Sequence, residues 1–104
     1  MPDSTAAAKK AFGIRLRDIR LDANLTGREL AARSGMRATK ISKLEHARQN
    51  PTDDDIRKWC AACGVEEQLP ELIAAHRQID EMWEEHRQAM RAGLKQQSER
   101  AKPL

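Results

Sequence analysis

The two cysteines of the stretch WCAACG, residues 59–64, are the residues of this chain that are best placed by type and spacing to do chemistry. A Cys-x-x-Cys pair can exchange disulfides with a substrate, or it can supply two of the four ligands of a zinc ion. The same pair can also be the buried end of a helix, which does no chemistry. The element that carries Cys60 and Cys63 decides between these interpretations.

That element is predicted to be a helix that begins after Thr52 and ends at Gly64. Thr52 can cap it, and the acidic run 53–55 suits the positive end of the helix dipole. A reactive thiol needs the opposite arrangement, in which a helix starts at the first cysteine and lowers its pKa. The apolar stripe of this helix consists of Ile56, Trp59, Cys60 and Cys63. We therefore expect the cysteines to pack against a core.

A zinc site would need two ligands besides the cysteines, and no second Cys pair follows at finger-like spacing. His76 and His86 are the remaining candidates, but both fall on an apolar seam, where core or interface positions are expected. The acidic run 53–55 is no better, because consecutive helical residues point in different directions. We expect no metal, no cofactor and no catalytic residue, and therefore no enzyme.

The bulk composition limits the chain to one small domain. Its 104 residues are 39% hydrophobic with three aromatic side chains, and no apolar run is long enough to span a membrane. The first ten residues lack the apolar region of a secretory signal, so a cytoplasmic location with free thiols is expected. Residues 1–49 hold eleven Lys and Arg against five Asp and Glu, whereas residues 50–104 hold eight against eleven. A basic first half favours a polyanionic partner.

The residue pattern predicts an all-α fold of five helices. Ala, Leu, Arg, Glu, Lys and Gln dominate, all good helix formers, and alternating β-branched runs are missing. The helices are expected over about 6–23, 27–34, 38–46, 53–63 and 67–91. This gives a domain over 6–66, a long C-terminal helix over 67–94 and a disordered tail over 95–104.

The second and third helices form a helix-turn-helix unit. Thr26 and Glu29 make a capping box before the second helix, and Gly35 suits the left-handed residue that ends it. Ile41 and Leu44 anchor the third helix to the core, so its basic face is aimed outward. A helix of this width fits the major groove of B-DNA.

The stretch TGRELAARSGMRATKISKLEHAR, residues 26–48, resembles the helix-turn-helix of the lambda-repressor-like XRE (Cro/CI) family. The segments LRDIRLDANLTGRELA, PTDDDIRKWCAACG and WEEHRQAMRAGLKQQSE resemble the group of streptomycete XRE regulators typified by WhiJ. The family resemblance spans roughly residues 12–64. Members of that group usually carry a further C-terminal domain, so this chain is expected to be a DNA-binding portion or an unusually short member.

The resemblance implies roles for individual residues. The residues expected to read base edges are Arg37, Ala38, Thr39 and Lys43. The residues expected to contact DNA phosphates are Gly27, Arg28, Lys40, Ser42, His46 and Arg48. Arg20 and Glu45 occupy the positions of a structural ion pair that orients the third helix. Gly27 and Arg37 depart from the common Gln and the usual capping Ser or Thr of the family.

The last helix carries an apolar seam with spacings near 3.5, which could pack on the domain or on a second chain. Its members for a dimer or linker role are Leu72, His76, Ile79, Trp83, His86 and Met90. Taken together, we expect a cytoplasmic, nucleoid-associated transcription regulator that binds an operator in double-stranded DNA as a homodimer. The alternative is an interaction module or antitoxin-like adaptor that works with a small protein partner; a thiol oxidoreductase is a remote third.

Overall fold

A computed structural model describes the backbone of residues 2–101 and the side chains of residues 4–92. Helices account for most of this part of the chain, and it contains no strand. The helices are α1 (Pro2–Asp22), α2 (Gly27–Ser34), α3 (Ala38–Glu45), α4 (Asp53–Cys63) and α5 (Leu69–Ala101), with a short 3-10 turn at Glu66–Gln68 before α5. The predicted all-α fold of five helices is confirmed.

The ends of the two best-capped helices follow from their sequences. In α2, the Glu29 backbone N–H donates to Thr26 Oγ1 at 3.1 Å, and the Thr26 N–H donates to the Glu29 carboxylate at 3.0 Å. In α4 a second capping box joins Thr52 to Asp55 in the same way. Each box satisfies two N–H groups that a helix start otherwise leaves without a partner. Both helices end at glycines with left-handed backbones, φ 77° and 70°.

One contiguous core joins all five helices. Trp59 is fully buried, and its indole N–H donates to the Leu16 carbonyl at 2.9 Å, so its one polar atom is satisfied inside the core. The buried apolar side chains are Phe12, Leu16, Ile19, Leu25, Leu30, Met36, Ile41, Leu44, Ile56, Trp59, Cys60, Leu72 and Ile79. Residues from α5 therefore complete the core of the helix-turn-helix unit.

Helices α1 and α5 lie antiparallel, and the first part of the α5 seam packs on the chain's own domain, one of the two arrangements that its spacing allowed. Three contacts mark it along the two helices: Arg15 with Glu71 at 3.1 Å, the rings of Phe12 and His76 at 5.5 Å, and Lys9 Nζ 4.2 Å above the Trp83 ring. Leu72, His76 and Ile79 are buried against the chain's own domain, so they are not available to a second chain. Trp83 and Met90 are 40% and 55% exposed, and His86 is half-buried.

The outer helices are longer than their sequence patterns predict. Helix α1 begins at Pro2, not near residue 6, and its early turn includes Thr5, which is buried. Helix α5 continues past Arg91 to Ala101, so its backbone includes most of the predicted tail 95–104, while residues 102–104 lie outside the described part. Over the described residues, the helices are too short or too polar to cross a membrane.

Gly13 sets how closely α1 approaches the end of α3. A Cβ atom at this position would lie 2.5 Å from the Glu45 carbonyl oxygen and 3.0 Å from that of Leu44. Both neighbours are backbone atoms, which cannot move aside as a flexible side chain does. Only glycine therefore allows α1 to pack this tightly against the helix that carries the basic face.

Candidate nucleic-acid interface

The turn between α2 and α3 has the geometry of a helix-turn-helix. Gly35 adopts the left-handed conformation, and its N–H donates to the Ala31 carbonyl at 3.0 Å, which closes the end of α2. Leu30 on one side and Ile41 and Leu44 on the other are buried at 0–1% exposure. Because these anchors fix both helices, the opposite face of α3 is held rigidly in solvent.

That outward face contains the predicted base-reading residues. Arg37, Ala38, Thr39 and Lys43 are all exposed. Arg37 is the N-cap residue of α3, with extended backbone angles and no side-chain capping bond. Arg37 stands where the family usually has a capping Ser or Thr, and its guanidinium takes no part in capping. The first N–H groups of α3 therefore lack a side-chain acceptor at this cap. Such N–H groups favour an anion at the helix start.

A groove beside this face lies between α1, the start of α2 and the length of α3. It is lined by Arg17, Arg20, Gly27, Ala38, Ile41, Ser42, Glu45 and His46. Gly27, Ser42 and His46, three of the predicted phosphate-contacting residues, thus share one concavity. Arg17 lines the same groove, although it is not among the residues that the resemblance implies as DNA contacts. The available hint was its spacing from Arg20, three residues along the same helix face.

The remaining predicted phosphate contacts differ in their surroundings. Arg28 is exposed in the first turn of α2, and Arg48 is exposed in the loop after α3. Lys40 is half-buried, and its Nζ lies 2.8 Å from Asp55 Oδ1. Its ammonium group therefore already has a carboxylate partner inside the domain, a contact that the sequence interpretation did not include.

Asp55 links α3 to α4. It completes the capping box with Thr52 and forms the ion pair with Lys40. Burial by itself would raise the pKa of Asp55, but the hydrogen bonds from Lys40 and from the Thr52 N–H outweigh burial and lower the pKa below its ordinary value. The carboxylate thus stays charged and holds α3 and α4 together.

A second buried pair joins α1 to the end of α3. Arg20 Nε and Nη2 donate to the two carboxylate oxygens of Glu45 at 2.6 and 3.0 Å, and Arg20 Nη1 donates to the Leu25 carbonyl at 2.9 Å. The Glu45 side chain is 5% exposed. Arg20 and Glu45, which were predicted to pair, thus form a bidentate ion pair, which fixes the orientation of the guanidinium against the carboxylate. With Gly13, this pair defines the position of α3 relative to α1.

Neither cysteine lines this groove. Cys60 is buried, Cys63 is half-buried, and both are free thiols. Burial raises the pKa of Cys60, and burial together with the neighbouring Cys60 raises the pKa of Cys63 to about 11. Thiols with raised pKa values are poor nucleophiles at neutral pH. Within the described residues, no cluster of three or more His, Cys, Asp or Glu side chains could hold a metal ion.

Two short helices joined through a left-handed glycine, the second presenting an exposed basic face, define a helix-turn-helix protein. The model of the helix-turn-helix domain family matches residues 11–72, more than half of the chain, and the chain belongs to this family. No curated protein and no solved structure matches it. Domains of this family are typically non-enzymatic DNA-binding domains, so membership indicates DNA as a partner and a regulatory role.

Proposed function

We propose that this protein is a sequence-specific regulator of transcription that places α3 in the major groove of double-stranded DNA. The carrying observation is the exposed face of Arg37, Thr39 and Lys43 on a helix whose other side is fixed in the core. Arg37 or Lys43 would donate to guanine, and the methyl groups of Ala38 or Thr39 would contact thymine. Gly27, Arg28, Ser42, His46 and Arg48, with Arg17 added, would hold the phosphate backbone.

Selection of bound duplexes from a random pool tests this proposal. An enriched motif is expected, and Lys43→Ala should then weaken binding to it by about 1–3 kcal/mol, roughly 5- to 150-fold in Kd, if Lys43 reads a base. Arg87→Ala on α5 is a matched control, since it also removes one exposed cation, but far along the chain from α3. Failure to enrich any motif would contradict specific recognition.

Lys40 has a different expected role from the other cations. Because Asp55 holds its ammonium group at 2.8 Å, we expect Lys40→Met to change folding stability more than DNA affinity per folded molecule. A loss of affinity equal to that of Arg28→Ala, with stability unchanged, would instead support the phosphate contact that the family resemblance implies.

A homodimer on an inverted repeat is part of the proposal. With Leu72, His76 and Ile79 committed to the core, the interface would use the more exposed part of α5, at Trp83, His86 and Met90. The same exposed apolar side chains favour the alternative of an adaptor that binds a small protein partner. A palindromic motif in the selected duplexes would support the homodimer, whereas a single half-site would contradict it.

We also propose, on the sequence stretches quoted above, that the chain belongs to the XRE family and to its streptomycete WhiJ-type group. Binding to chromosomal DNA would place it at the nucleoid.

A further inference from the structure

His46 follows the last residue of α3, and its ring has a fixed orientation. Its Nδ1 lies 2.8 Å from the Ser42 carbonyl oxygen, which also accepts the His46 backbone N–H at 3.0 Å. A carbonyl oxygen only accepts hydrogen bonds, so Nδ1 must carry the hydrogen. In the neutral ring, Nε2 is then a bare acceptor. Only the doubly protonated ring can donate from Nε2.

The surroundings of His46 suit a cation beside an anion. The ring is exposed and lines the groove that also contains Arg17, the start of α2 at Gly27, and Ser42. The charged groups that line the groove are Arg17 and Arg20 from α1 and Glu45 from α3; α2 contributes only Gly27. Glu45 is bound by Arg20. His46 also lies at the negative end of the α3 dipole, where a positive charge is favoured.

We propose that this groove binds a DNA phosphate with His46 as an imidazolium, so that DNA binding takes up one proton. Nδ1–H would remain on the Ser42 carbonyl, and Nε2–H would donate to a phosphate oxygen. The proton comes from solvent, and no covalent bond changes. Phosphate oxygens accept only, so a neutral His46 in this tautomer would place a lone pair against a negative group. This inference rests on the proposed DNA-binding function.

The sign of the pH dependence follows from this geometry. A complex that holds one proton more than the free protein is weakened as the pH rises. DNA favours the protonated form, and affinity should therefore fall with rising pH, by at most about tenfold per pH unit for one proton.

The test measures Kd of the full chain between pH 5.5 and 8.5 at constant ionic strength, on a selected duplex and an unrelated one. Calorimetry in two buffers of different ionisation enthalpy counts the protons taken up. His46→Gln should bind without this pH dependence, because its amide donates without being protonated. Arg87→Ala, which removes an exposed cation of α5 outside the groove, is the control and should retain the full dependence.

The outcomes separate the two proposals. A pH-independent wild-type affinity, or an unchanged slope in His46→Gln, would overturn the role of His46 while leaving DNA binding intact. Absence of binding to every duplex at every pH would overturn the proposed function, and the proton uptake with it. Circular dichroism at each pH establishes that the variants are folded.

Discussion

At the scale of single residues, the polar side chains of this domain divide between holding the fold and facing outward. Two ion pairs connect helices: Arg20 with Glu45, and Lys40 with Asp55. Arg37, Thr39 and Lys43 are exposed. The family resemblance groups Lys40 with the DNA-contacting residues, because sequence gives its helix position but not its distance from Asp55. The sequence pattern of a helix does not show which side chain of another helix each residue contacts.

Asp55 should make the stability of the domain sensitive to acid. Its pKa is lowered in the folded state, so its contribution is fully present above the unfolded value near 4 and is lost as the pH falls through the folded value. Asp55→Asn keeps an oxygen for the Thr52 N–H but removes the charge. At pH 7 it should lower the free energy of unfolding by about 1–3 kcal/mol.

Urea unfolding from pH 2 to 7 checks this, and the difference from wild type should shrink below about pH 4. Asp54→Asn is the matched control: its carboxylate is 58% exposed and pairs with Arg57 and Lys58 at the surface, so the substitution should change stability by less than about 1 kcal/mol. Equal effects of the two substitutions at all pH values would contradict the role given to Asp55.

At the scale of elements, the local patterns predicted the short helices well and the long-range contacts less well. The box of Thr26 and Glu29 and the glycine at 35 define α2 at both ends, and the predicted 27–34 is matched. The end of α3 carries no such mark, since Ala47 there has a positive φ of 56° where glycine is the common residue. Gly13, inside a helix, gives no hint in the sequence of the carbonyl groups it faces.

Gly13→Ala should therefore destabilise the domain, although alanine is the better helix former by about 1 kcal/mol. The added Cβ meets the Glu45 and Leu44 carbonyls of α3, and we expect a net loss of about 1–3 kcal/mol. Gly27→Ala is the control, because nothing lies within 4 Å of its Cβ position and its stability should stay the same or rise. Thermal unfolding compares the two; a stabilised Gly13→Ala would show that α1 and α3 can separate at no cost.

At the scale of the whole molecule, the two halves of the sequence differ both in charge and in their proposed role. The basic first half forms α1 to α3 and supplies every proposed DNA contact. In the acidic second half, Asp53, Asp54 and Asp55 each pair with a Lys or Arg at the start of α4 or across helices. The chain's small net charge of +3 combines a balance of +6 in residues 1–49 with a balance of −3 in residues 50–104.

The seam of α5 could be found from the sequence, but its partner could not, because an apolar stripe fits a chain's own domain as well as a second copy. Its packing on α1 changes where the chain can be shortened. A chain of residues 1–64 lacks Leu72 and Ile79 and uncovers Phe12, so it should not fold cooperatively at 25 °C. A chain of residues 1–86 keeps these contacts and should unfold near the wild-type temperature. Circular dichroism melts distinguish them, and a folded 1–64 chain would contradict the core described here.

Sedimentation of the 1–86 chain then isolates the outer part of α5. If Met90 and its neighbours form the dimer, this chain should be a monomer while the full chain is a dimer. The same number of subunits in both would exclude residues after 86 from the interface.

The two tryptophans lie in sharply different places, and the chain has no tyrosine. Trp59 is fully buried in the core, and its indole N–H is hydrogen-bonded to the Leu16 carbonyl. Trp83 is 40% exposed and lies beneath the Lys9 ammonium. The protein thus carries its own pair of fluorophores. Emission from Trp59 should change only on global unfolding, and acrylamide quenching of Trp83 should report whether the start of α1 stays docked on α5 when DNA is bound.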